Sequence, residues 1–204
     1  MRNVANPPRH SALDRCIDEF ENEIRARFAG ADRAALRALP PLNAYAAYYK
    51  RFTKTYHVQL QLESAVLKGK AMPRGPALVA TMVMAELKNL LLTAAHDLAA
   101  LQLPVALDVA TGRERYILLS GQEQEAKPGD MLMADAQGVI SSVVHGPDRR
   151  TRVTSDTREA LFAVYAPPGI GELAVSQHLQ DIVATVLLVA PEAEVDSLMV
   201  YGAQ

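Results

Sequence analysis

From Ala77 to Leu92 the chain reads ALVATMVMAELKNLLL, and only Thr81, Glu86, Lys88 and Asn89 interrupt its apolar residues. A helix that is apolar on nearly every face has no side to turn to water, so other elements must enclose it. Pro76 suits the first helical turn, where its missing N–H has no intrahelical partner to lose. This stretch is expected to be a buried central helix, and the rest of the chain has to be arranged around it.

The residues before it read as helix. Ser11 can cap an N-terminus with Asp14 as a weak capping-box partner, and Leu13, Ile17, Phe20, Ile24 and Phe28 form one apolar stripe before Gly30. A short helix from Asp32 to Leu39 stops at Pro40 and Pro41. A tyrosine-rich helix comes next and fades between Thr53 and Val58, and a further one spans Gln61 to Lys68 before Gly69. Residues 1–10, with Pro7, Pro8 and no apolar period, are expected to fray. On this reading residues 1–40 are an N-terminal helical appendage and residues 41–204 a single domain.

From Pro104 onward the pattern turns to strand. Val105–Val109 and Tyr116–Leu119 flank a turn at Thr111–Gly112, and Met131–Ala134 and Val139–Val144 flank Asp135-Ala136-Gln137-Gly138. Asp at the first and Gly at the fourth position fit a type I turn, which makes the second pair a hairpin. Leu161–Tyr165 is another strand, Leu173–Val189 a long helix, and Leu198–Tyr201 a possible last strand. Helices first and strands later give an α+β fold, with helices layered on a mostly antiparallel β-sheet.

The stretch Tyr45–Arg74 mixes rings with cations, as a nucleic-acid groove would. At about 100° per residue, Tyr45, Tyr48, Tyr49 and Phe52 fall on one face, and Lys50, Arg51 and Lys54 on the other. Rings and charges therefore diverge. The rings are expected in the core, and the basic face stays open to phosphate or to water. All 21 basic residues precede Glu159, so the first 158 carry +4 and the last 46 carry −6. The loop HGPDRRTRVTSDT, His145 to Thr157, presents Arg149, Arg150 and Arg152 among threonines. It suits a phosphate or carboxylate, or equally internal pairing with Asp148 and Asp156.

The single Cys16 excludes a disulfide framework and fits a reducing cytoplasm. There is no signal-type apolar core at the N-terminus and no run of about 18 apolar residues. The five histidines show no metal-ligand spacing, and no phosphate-loop or dinucleotide motif occurs, so neither metal nor cofactor is expected. His96-Asp97 is the one adjacent pair of acid–base type, with a cap or turn as the structural reading of Asp97.

Three blocks, MPRGPALVATMVMAELKNLLLTAAHDLAAL, GDMLMADAQGVISSVV and RTRVTSDTREALFAVYAP, resemble the tRNA-binding and editing domain of the phenylalanyl-tRNA synthetase beta chain. The likeness covers about residues 40–170 and is greater still to free-standing proteins made only of that domain; Glu63, the AAHD ending and Met133–Asp135 are its most specific parts. It implies an α+β domain associated with tRNA or aminoacyl-tRNA, and a water-driven hydrolysis of mischarged tRNA. The family's polar editing positions, however, fall here on Val83, Ala94 and Ala163. The expectation is a protein that binds tRNA or aminoacyl-tRNA between the Pro73–Asp97 block and the hairpin. Arg51, Lys54, Lys68, Arg74, Arg149 and Arg150 would meet phosphates, and His96, Asp97 and Glu63 are the candidate groups for any ester hydrolysis. The alternatives are a small-molecule binder without tRNA contact, and a homo-oligomer built through Ser11–Phe28 or Leu173–Val189.

Overall fold

The computed structural model describes residues 1–202. Among the described residues, six helices, α1 (Ser11–Arg27), α2 (Arg33–Arg37), α3 (Pro40–Lys50), α4 (His57–Leu67), α5 (Ala77–Asn89) and α6 (Glu172–Val189), enclose and flank three small antiparallel sheets. Strands β2 (Ala106–Val109), β5 (Met131–Asp135), β6 (Gly138–Ser142) and β7 (Gly146–Pro147) form one sheet. A second joins β1 (Leu92–Asp97) to β8 (Ala160–Tyr165), and a third joins β3 (Arg115–Ile117) to β4 (Glu123–Glu125). The α+β architecture with antiparallel pairing is as the sequence predicts.

Helix α5 is the central one, touching α1, α4, α6 and β1, which is why it could be apolar nearly all round. It ends three residues earlier than its apolar run. Leu90 turns left-handed at φ 62°, and the chain leaves directly into β1. His96 and Asp97 therefore lie on a strand and not past a helix end, with His96 opposite Leu161 and Asp97 opposite Ala160 on β8. Nothing in the run ELKNLLLTAAHD marks that switch, because a non-glycine residue takes the left-handed position and two alanines sit in the strand.

The tyrosine row of α3 is the seam between helices and strands. Tyr45, Tyr48, Tyr49 and Tyr56 are all buried, as expected of core rings. Their hydroxyls do the joining. Tyr45 donates to the Tyr165 carbonyl (2.5 Å) and accepts from the Leu92 amide (2.8 Å), holding β8 and β1. Tyr48 donates to Asp130 Oδ1 (2.7 Å) and accepts from Met131 N (2.6 Å), and Tyr49 donates to the Val143 carbonyl (2.6 Å). A buried hydroxyl satisfied in this way fixes register as well as filling volume.

Several local expectations need correction. The first ten residues do not fray: Val4 and Asn6 are buried, the Met1 ammonium donates to the Ala160 carbonyl (2.9 Å), and Asn6 Oδ1 accepts from Leu78 N (2.9 Å). Short polar anchors did this, which apolar periodicity does not register. Helix α4 starts at His57, four residues before its expected start, and Leu198–Tyr201 forms no strand. Leu13, Ile17, Phe20 and Ile24 of α1 join the same core as Tyr45 and Leu62, while Ile182 and Val186 of α6 pack with Leu78 and Ala85. Both apolar stripes thus pack against the chain's own elements, while Leu173 and Leu188 of α6 stay exposed.

The β5–β6 hairpin forms as the turn chemistry requires. Asp135 Oδ1 accepts from Gln137 N (2.9 Å) and Gly138 N (3.2 Å), and Gly138 takes φ 141°. This turn brings β6 back alongside the strand from which it came and faces Ser141–Val144 toward β1 and α5.

Candidate functional site

A cleft of about 380 Å³ opens between α5, β1 and the end of β6. One stripe of α5, Val79, Met82, Val83 and Glu86, lines it at spacings of three, four and seven. Leu92 to Ala95 of β1 form the floor, and Ser141 to Pro147, with Arg152 and Val153, form the opposite wall. The cleft lies between the Pro73–Asp97 block and the hairpin. Two of the three positions where the resemblance places polar editing groups, Val83 and Ala94, line it. The third, Ala163, is the register partner of Ala94 across β1 and β8. Ala163 itself does not line the cleft, and all three positions carry methyl or isopropyl side chains.

The polar equipment of the cleft is different. Glu86 is buried, its Oε1 accepts from Thr93 N (2.9 Å), and burial pushes its carboxyl up to about 8. Thr93 Oγ1 meets His178 Nε2 at 2.6 Å, and His178 Nδ1 faces Asn89 Nδ2 at 3.3 Å. An amide nitrogen can only donate, so Nδ1 is the acceptor and Nε2–H donates to Thr93. Burial lowers His178 to about 4, so it stays neutral. His145, whose pKa desolvation lowers, and Arg152 stand on the far wall. Sequence reasoning passed over Glu86 and Thr93. The available signal was an acid falling on one stripe with Val79, Met82 and Val83.

The three candidates for ester hydrolysis are not brought together, and none lines the cleft. His96 is fully buried on β1. Thr151 Oγ1 gives its proton to Asp148 Oδ1, so it accepts from His96 Nδ1–H at 2.7 Å, and burial lowers His96 to about 4. Its Nε2 has no partner among the described residues. Asp97 accepts from Ala99 N (3.0 Å) and from Thr157 Oγ1 (2.7 Å), capping the short 3-10 turn Leu98–Ala100. Glu63 is buried on α4, where it accepts from Gln59 (2.9 Å) and pairs with Arg33 (3.0 Å) and Arg37 (3.7 Å) of α2.

The six cations divide in two. Arg74 pairs with Asp18 (2.5 Å) and Asp14 (3.6 Å) of α1, closing the loop before α5 onto that helix. Arg150 grips both oxygens of Asp135 at 2.9 Å and also donates to the Ala100 carbonyl (3.0 Å), so it is a clamp on the hairpin turn. Arg51 donates to the Gly129 carbonyl (2.6 Å) and lies over Tyr48 and Phe52. Lys54, Lys68 and Arg149 are exposed and make no ion pair among the described residues.

Fold and cleft together define an α+β domain whose candidate ligand site lies where helices meet an antiparallel strand pair. The chain belongs to the B3/4 domain family, whose profile matches residues 43–180. It is similar to the phenylalanine–tRNA ligase beta subunit of Mycoplasma pneumoniae, with 38% identity over 69 residues, which is 34% of this chain and 9% of that protein. It is also similar to the crystal structure of an N-terminal fragment of the phenylalanyl-tRNA synthetase beta subunit from Pyrococcus horikoshii. That match has a TM-score of 0.48 and 18% identity, over 55% of this chain and 40% of the fragment. The chain thus spans well under half the length of either relative. Among the described residues no helix is long and apolar enough to cross a membrane.

Proposed function

We propose that this chain binds the aminoacyl end of a tRNA in the cleft between α5, β1 and β6. The observation that carries the reading is the place and lining of the cleft. Its volume of about 380 Å³ suits an amino-acid-sized ligand, its body is apolar, and Val83 and Ala94 sit in it where the family resemblance places the editing pocket. Of the six cations expected at phosphates, Lys54, Lys68 and Arg149 are the ones exposed and outside any ion pair among the described residues, with Arg152 at the rim. Binding is the part of the role that this lining supports, since His96, Asp97 and Glu63 lie outside the cleft.

Filter binding against bulk tRNA tests this. Three or four phosphate contacts give a slope of about −3 in log K against log salt, and a fall of several tens of fold between about 50 and 200 mM. The combined Lys54→Ala, Lys68→Ala, Arg149→Ala variant is expected to flatten the slope. Binding that is absent at low salt, or indifferent to salt, overturns the tRNA reading. It would favour a small-molecule binder, which the internal pairing of Arg74 and Arg150 also supports.

A further inference from the structure

We infer that Glu86 makes the cleft selective for ligands that carry a free ammonium group on an apolar body. This selectivity rests on the reading of the cleft as a ligand site and names the chemistry that site would read.

The geometry is specific. Val79, Met82, Val83 and Glu86 form one stripe of α5 directed into the cleft, so an apolar ligand body lying on the first three ends at the fourth. Glu86 is 2% exposed, yet its carboxyl makes only the bond from Thr93 N among the described residues. A carboxylate can accept about four hydrogen bonds, so most of its capacity stays unused at a buried position. If the chain needed only a cap for the Thr93 amide, a glutamine would supply it without burying an acid.

The surroundings leave the charge uncompensated. From α6, His178 faces Thr93 and Asn89 and is neutral. From α3 and the residue before α4, Tyr45, Tyr49 and Tyr56 stand near Glu86, and each has its hydroxyl bonded elsewhere. Also lining the cleft are His57, His145 and Arg152, of which Arg152 donates to the Arg149 carbonyl. No cation pairs with Glu86 among the described residues. Burial keeps its proton on at neutral pH in the open cleft. An incoming ammonium reverses this by offering a charged partner and up to three donors, and the carboxyl then gives its proton to solvent. An acylated nitrogen offers neither the charge nor the donors.

Calorimetric titration of the full chain with leucine methyl ester and N-acetyl-leucine methyl ester tests the inference. The free amine is expected to bind about tenfold or more tightly, as one charge-assisted hydrogen bond implies. Glu86→Gln keeps an acceptor for Thr93 and is expected to erase that preference by weakening only the free-amine ester. Titrations at pH 6.5 in two buffers of different ionisation enthalpy are expected to show net release of about one proton with wild type. Equal affinity for both esters, a preference that survives Glu86→Gln, or no proton release overturns the role of Glu86 while leaving the cleft reading intact. Binding of neither ester overturns both. Should Glu86→Gln fail to fold, the proton count on wild type decides by itself.

Discussion

Replacing Arg150 with methionine separates a structural clamp from a phosphate contact. Arg150 holds Asp135 through two bonds of 2.9 Å, and Asp135 in turn receives the amides of Gln102, Gln137 and Gly138. Desolvation works against the Asp135 carboxylate. The Arg150 hydrogen bonds, with the Gln102 and Gln137 amides, overcome it and hold the pKa at about 2 against an ordinary 3.8. At about 1.36 kcal/mol per pH unit, that gap corresponds to roughly 2 kcal/mol favouring the folded state. Because the backbone amides survive the substitution, Arg150→Met is expected to remove only part of this, about 1–2 kcal/mol at pH 7. For a chain of this length that lowers Tm by about 2–8 °C. The sign with pH follows from a depressed carboxylate. The contribution is complete above the unfolded value and disappears as pH falls from about 4 toward 2, so the wild-type and variant curves converge there. Urea melts at pH 7 and pH 3 measure this, with an unchanged slope against denaturant. A gap under about 0.5 kcal/mol at pH 7, or one of the same size at pH 3, refutes the clamp. A tRNA salt slope reduced by about one contact at unchanged stability would return Arg150 to the phosphate surface.

Two further perturbations test the seam and a turn. Tyr48→Phe strips the hydroxyl shared by Asp130 and Met131 N, leaving a fully buried carboxyl and an amide short of a partner; it is expected to cost about 1–3 kcal/mol in urea melts. Gly112→Ala is expected to destabilise by about 1–3 kcal/mol, because φ is +91° and a Cβ would stand 2.6 Å from Pro128 Cγ. A melt within about 0.5 kcal/mol of wild type would show that the β2–β3 turn yields to it.

Elements whose signal is local were legible in the chain of residues alone. The all-round apolar run of α5, the tyrosine face of α3 and the Asp135–Gly138 turn could be read because period, face and turn chemistry are properties of adjacent residues. The two blocks that form the cleft were legible too, and Val83 and Ala94, singled out in the sequence, both line it. What each charged group does emerged only on folding. Arg74 and Arg150 look like Arg149 in the sequence, yet the first two meet Asp18 and Asp135 while the third faces solvent. Glu63 and Glu86 are both buried acids, but one is neutralised by two arginines and the other faces the cleft with one amide for company. The strand nature of Leu92–Asp97 belongs to the same class, since only pairing with Ala160–Tyr165 makes that segment extended. One cause underlies them all: a charge or a strand edge acquires its role from a partner beyond its own local stretch, and composition is silent about which partner arrives.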